Sequence, residues 1–126
     1  MTSLVIFAVN VRLLANFYEK VLEIAPTPWP GDSRKDIRLG NGGEELLIHS
    51  IPTRNAQSIY IKIPPVPRDE SAIKPIFDVK SLPNSLEQVT LLGGIVTGRT
   101  FSLDGLTRHD IVDPEGNVVQ LRSALL

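Results

Sequence analysis

The stretch DPEGNVVQL, residues 113–121, combines a turn with the start of a strand. Asp113, Pro114 and Gly116 stand at the first, second and fourth positions of a four-residue turn, the preferences of a type I turn. The run after it is apolar except for one amide, Gln120. Reading backwards, Arg108 to Val112 pairs with this run as a hairpin. A further turn at Asp104-Gly105 and a strand-like stretch from Ile95 to Phe101 come before it.

A helix precedes these strands. Leu86, Val89 and Leu92 recur at helical spacing behind Pro83, which suits a first turn, with Ser81 as its cap and Gly93-Gly94 as its stop. Ahead of that lies the β-prone run Ile76-Phe77-Asp78-Val79. The same order appears in the first half of the chain. Ile6-Phe7-Ala8-Val9 echoes Ile76 to Val79. A helical pattern follows in Leu13, Leu14, Phe17, Val21 and Leu22, then strands at Lys35 to Leu39 and Glu45 to His49 around a turn at Gly40 to Gly43. Gln57 to Ile63 alternates as a further strand, and PPVPRDE ends it, because proline has no N–H to give a ladder. The reading is one α+β domain over 1–126, with a first module of about 1–63, a linker at 64–72 and a second module of about 73–126. An α+β sheet without internal symmetry is the alternative.

Composition narrows the function. The 126 residues include no cysteine, which excludes disulfides, thiolate nucleophiles and Cys-ligated metal. Net charge is −1 and no Lys/Arg cluster stands out, so neither nucleic acid nor an acidic membrane surface is expected as partner. The apolar N-terminus lacks the basic flank of a signal peptide, and no run has the length of about 20 residues that a membrane span needs, so the expected location is cytoplasmic. There is no P-loop, dinucleotide fingerprint, HExxH or GxSxG.

Two stretches, ANFYEKVLEI (15–24) and DIVDPEGNVVQLRS (110–123), resemble the signatures of the glyoxalase/bleomycin resistance/dioxygenase family, the vicinal oxygen chelate superfamily. The order and length of the two halves agree with it over nearly the whole chain. The resemblance implies two βαβββ modules forming a curled mixed β-sheet around a cavity, usually within a homodimer. Metal-dependent members hold a divalent ion with His or Glu at four positions, on the first and last strand of each module. Carried onto this sequence, those positions are Ser3 or Leu4, Leu47, Lys74 or Ile73, and Gln120. A leucine offers no donor, a lysine repels a cation, and an amide adds no negative charge. Gln120 stands where the family's metal-binding Glu would be.

The expectation is therefore a protein without metal or other cofactor, and without catalytic residues, that binds a small organic molecule, as in drug or metabolite sequestration. Phe7, Trp29, Leu47 and His49 from the first module and Lys74, Ile76, Gln120 and Arg122 from the second are expected to line the ligand site. Lys74 and Gln120 suit an anionic or amide-bearing ligand. Trp29 is either a core plug or an aromatic wall. His49 is read as a strand-end polar residue with no identifiable carboxylate partner, and His109, beside Asp110, as a surface residue. The alternative is a metal-dependent lyase, isomerase or dioxygenase of the same superfamily with non-standard ligands.

Overall fold

A computed structural model describes residues 2–27, 36–40, 44–52, 55, 57, 59–68 and 71–124. Trp29 and most of the turn at 40–43 lie outside the described residues.

In the first module, β1 (Thr2–Ala8) leads into α1 (Val11–Leu22), followed by β2 (Ala25–Pro26), β3 (Asp36–Gly40) and β4 (Glu44–Ser50). Asn10 caps α1 by accepting from the Leu13 amide at 3.1 Å, and Glu23 closes it in a left-handed conformation at φ 54°. Val11, Leu14, Phe17, Tyr18 and Val21 form the buried stripe of this helix. Strand order is β1-β4-β3-β2, with β1 parallel to β4 and the other pairs antiparallel. Period-two alternation turns Ile6, Ala8, Leu46, Ile48 and Leu39 toward the helix and leaves the opposite face open.

The second module repeats the plan: β5 (Ile76–Asp78), α2 (Leu82–Leu91), β6 (Ile95–Val96), β7 (Phe101–Leu103), β8 (Leu106–Val112) and β9 (Val118–Ala124). Its sheet runs β5-β9-β8-β6, with β7 on the same edge of β8 as β6; β5 is parallel to β9. Ser81 caps α2. Among the described residues the fold is α+β, with two mixed sheets and the two helices α1 and α2. The helices pack against each other across the module boundary, where the buried Ser85 hydroxyl donates to the Val21 carbonyl at 2.7 Å. No helix among the described residues is long and apolar enough to cross a membrane.

Several expectations need correcting. Ile59 to Ile63 forms no strand. Its alternation is real, but a strand needs a sheet edge, and Ile63 is 95% exposed just before two prolines. The first module instead completes its sheet with the two-residue β2. The stretch from Ile95 to Phe101 is not one strand: Gly98, with φ 60°, lies between β6 and β7. The echo between the modules is one residue out of step with the pairing Phe7 with Phe77. The helix caps Asn10 and Ser81 align Ile6 with Phe77, both facing the core, and Phe7 with Asp78, both on the open face. The same alignment sets Ser3 opposite Lys74.

Candidate functional site

The open faces of the two sheets carry the polar chemistry. On the first sheet, pairing places Phe7 beside His49 and His49 beside Asp36, and in the next row Val5 beside Leu47 and Leu47 beside Arg38. His49 Nδ1 is hydrogen-bonded to the Asp36 carboxylate, and its ring meets Phe7 edge-on with centroids 5.6 Å apart. The carboxylate partner that sequence reading did not find therefore exists. It is thirteen residues away and is brought in only by the β3–β4 register. Arg38 is paired with Glu45 on the same face. Phe7, 57% exposed, and Val5 leave an apolar strip along β1, the edge of this sheet.

On the second sheet Gln120 lies at the centre of a closed network. Its amide oxygen accepts from Arg108 Nη1 at 3.1 Å, and its amide nitrogen donates to Asp110 at 3.0 Å. Lys74 Nζ donates to the other Asp110 oxygen at 2.7 Å. Gln120 is only 7% exposed, although it belongs to the open face, because these neighbours cover it. Arg108 and Arg122 are register partners across β8–β9, and like charges in that position repel. The structure separates them: Arg122 forms a two-point pair with Asp78 on β5, at 2.6 and 3.1 Å, while Arg108 turns to Gln120. Arg108 Nε is left buried without a partner.

These pairs set the acid chemistry. Partial burial pushes the Asp110 carboxyl up, but hydrogen bonds from Lys74 and Gln120 outweigh it and hold Asp110 below the ordinary aspartate value. The hydrogen bond from Arg122 holds Asp78 low against its own burial. A carboxyl lowered on folding adds stability above its unfolded value of about 3.9 and loses it as pH falls through the folded value. Replacing Lys74 with Met removes one cause of the lowering. Urea midpoints of wild type and Lys74→Met are therefore expected to differ most near neutral pH and to converge in acid below about pH 4.

The four positions carried over from the resemblance hold side chains that do not fit a divalent ion. Ser3 is an exposed hydroxyl, Leu47 a hydrocarbon, Lys74 an ammonium on Asp110, and the Gln120 oxygen is taken by a guanidinium. Among the described residues no group of three or more His, Asp or Glu could hold a metal.

Of the expected ligand-site residues, Phe7, Leu47 and His49 share one open face. Gln120, Lys74 and Arg122 gather on the other, with Ile76 as the register partner of Gln120. Of these residues only Ile76 lines the cavity between the first sheet and β5, and Trp29 lies outside the described residues. His109 is a correction. It is buried on the helix-facing side of β8, with Nδ1 2.8 Å from the Thr100 hydroxyl and Nε2 unpartnered. Its sequence neighbour Asp110 points the other way, as strand alternation demands. Sequence reading also missed Asp36, Arg108 and Asp110, which only the pairing register brings to these faces.

No sequence-family model matches the chain, and comparison with curated proteins finds no match. Solved structures do match along its length. A glyoxalase/bleomycin resistance protein/dioxygenase family enzyme from Burkholderia phytofirmans PsJN superposes with a TM-score of 0.73 at 15% identity, covering 98% of this chain and 97% of its own. A glyoxalase/bleomycin resistance protein from Albidiferax ferrireducens T118 gives 0.70 at 14%, with 99% and 98% covered. TioX from Micromonospora sp. ML1 gives 0.66 at 12%, with 98% of each chain covered. At these identities the likeness establishes the fold, which is the glyoxalase/bleomycin resistance fold.

Proposed function

We propose that this chain is a metal-independent small-molecule-binding protein of the glyoxalase/bleomycin resistance family, acting as a homodimer in which open sheet faces from two copies enclose an organic ligand. The observation that carries the reading is the Gln120 network. Where metal-dependent relatives would present a carboxylate, this chain presents an amide already engaged at both ends, flanked by Lys74 and Arg108. Bringing a divalent cation there would set it against two fixed positive charges and would break the Asp110 pairs. Asp36–His49 and Arg38–Glu45 are pairs on the other open face that can offer hydrogen bonds to a ligand. The apolar strip of Val5 and Phe7 supports the dimer, because an exposed edge of this kind is commonly covered.

Protein purified without chelator is expected to retain no stoichiometric metal, and its melting temperature is expected to stay put on adding divalent Fe, Ni, Co, Mn or Zn. Retained metal, or a clear rise with one ion, would overturn the reading in favour of a metal-dependent lyase, isomerase or dioxygenase. The dimer is tested separately. Phe7→Asp places a charge on the open face, away from the core, and is expected to sediment as a folded monomer while wild type sediments as a dimer. A dimer that survives the substitution would place the interface elsewhere.

A further inference from the structure

A cavity of about 250 Å³ lies where the two modules meet, between the end of the first helix–sheet layer and β5. Leu4, Leu22, Ile24, Leu39, Leu46 and Phe77 form its apolar wall. Glu44, Glu45 and Asp78 also line it, and among the described residues no lysine or arginine does. Arg38 pairs with Glu45 and Arg122 with Asp78, and Glu44 also lies in the field of Arg122; neither arginine lines the cavity itself. A carboxylate has about four lone-pair sites, so each paired one retains acceptor capacity toward the cavity.

From this lining we infer that the seam between the modules is a binding site for a compact organic cation: an apolar body of about ten non-hydrogen atoms carrying one ammonium group. The size follows from scaling, since an engineered apolar cavity of about 150 Å³ takes benzene. The class follows from the lining, which combines hydrocarbon with negative charge. Such a ligand would place its ring against Phe77 and the leucines and its ammonium among the three carboxylates, where an anion would be repelled. Ser3 and Ile76 line this site, but the Gln120 network and the apolar strip of Val5 and Phe7 do not. Its existence does not depend on the absence of a metal or on the dimer.

Calorimetric titration of the full chain at neutral pH with three near-isosteric probes tests it: 2-phenylethylamine, protonated at that pH, the neutral 2-phenylethanol, and the anionic phenylacetate. The amine is expected to bind at least about fivefold more tightly than the alcohol, and the acid most weakly. Ile76, 44% exposed and lining the cavity, offers a way to fill it. Ile76→Trp is expected to weaken amine binding by about tenfold or more with an unchanged melting temperature. Glu44→Gln, on the exposed side, is expected to weaken the amine by about two- to fivefold and to leave the alcohol alone, whether or not the tryptophan variant folds. The inference is overturned if the amine does not bind or binds no better than the alcohol. It is equally overturned if a folded Ile76→Trp keeps wild-type affinity, or if Glu44→Gln weakens both probes alike.

Discussion

Asp113→Ala is expected to lower unfolding stability by about 3–5 kcal/mol, a large share of the roughly 5–15 kcal/mol available to a domain of this size. Asp113 is fully buried and accepts four hydrogen bonds. Its Oδ1 takes the Glu115 and Asn117 amides at 2.9 and 3.0 Å, and its Oδ2 takes the Asn117 side-chain amide at 2.8 Å and the Tyr18 hydroxyl at 2.7 Å. Truncation leaves all four donors without their acceptor, and the Tyr18 hydroxyl is itself fully buried. Asp113→Asn keeps an oxygen for the two backbone amides and should cost less. Tyr18→Phe removes one donor and should cost about 1–3 kcal/mol at neutral pH. Denaturant midpoints should rank the variants in that order, and an Asp113→Ala protein as stable as Tyr18→Phe would refute the account.

Tyr18 adds a pH signature. Its burial, reinforced by the charge of Asp113, raises the phenol well above its ordinary value of about 10. With the folded value raised, this contribution to stability is complete below about pH 10 and is lost as pH climbs toward the folded value, because the unfolded phenol ionises first. Tyr18→Phe has no phenol to ionise. Its deficit against wild type should therefore narrow above about pH 10, an effect that a merely steric change would not produce.

Local signals in the sequence carried the fold, and long-range register carried the site. The helix of the first module was legible because Leu14, Phe17 and Val21 repeat at its own spacing, and the last hairpin because Asp113 to Gly116 sets its own turn. The offset between the modules was misread, because four-residue apolar strands look alike when shifted by one. The caps Asn10 and Ser81, fixed by hydrogen bonds to their own helices, supply the true alignment. Gln120 was placed from the turn that precedes it. Its partners were not visible: Arg108 and Asp110 are ten or more residues away, and Lys74 is farther still, so only the β8–β9 pairing and the lead-in to β5 collect them. His49 and Asp36 repeat the lesson on the first sheet.

The turn that opens on Asp113 also predicts how the modules are joined. Glu115 has a buried carboxylate that reaches back to the corner between β1 and α1, with Oε1 accepting from the Val9 amide and Oε2 from the Asn10 amide, both at 2.8 Å. Arg68, in the connection between the modules, donates through Nε to the Glu115 carbonyl at 3.1 Å and through its own amide to the Gly116 carbonyl at 2.9 Å. Gly116 makes that approach possible. It sits at φ 90°, and a Cβ there would come within 2.6 Å of the Val66 carbonyl oxygen. One turn therefore grips both the first module and the connection. Glu115→Ala strips two backbone donors of a charged acceptor, and hydrogen bonds of that kind contribute about 1.5–3 kcal/mol each, so a loss of about 2–4 kcal/mol is expected once water reaches the exposed corner. The loss should be uneven. Exchange of the Val9 and Asn10 amide protons should accelerate beyond what global destabilisation explains, whereas the amides in the middle of α2 should track the global value. Glu115→Gln, with one oxygen remaining, should fall between. Uniform acceleration across both modules would mean that the turn contributes only to overall stability and does not join the halves.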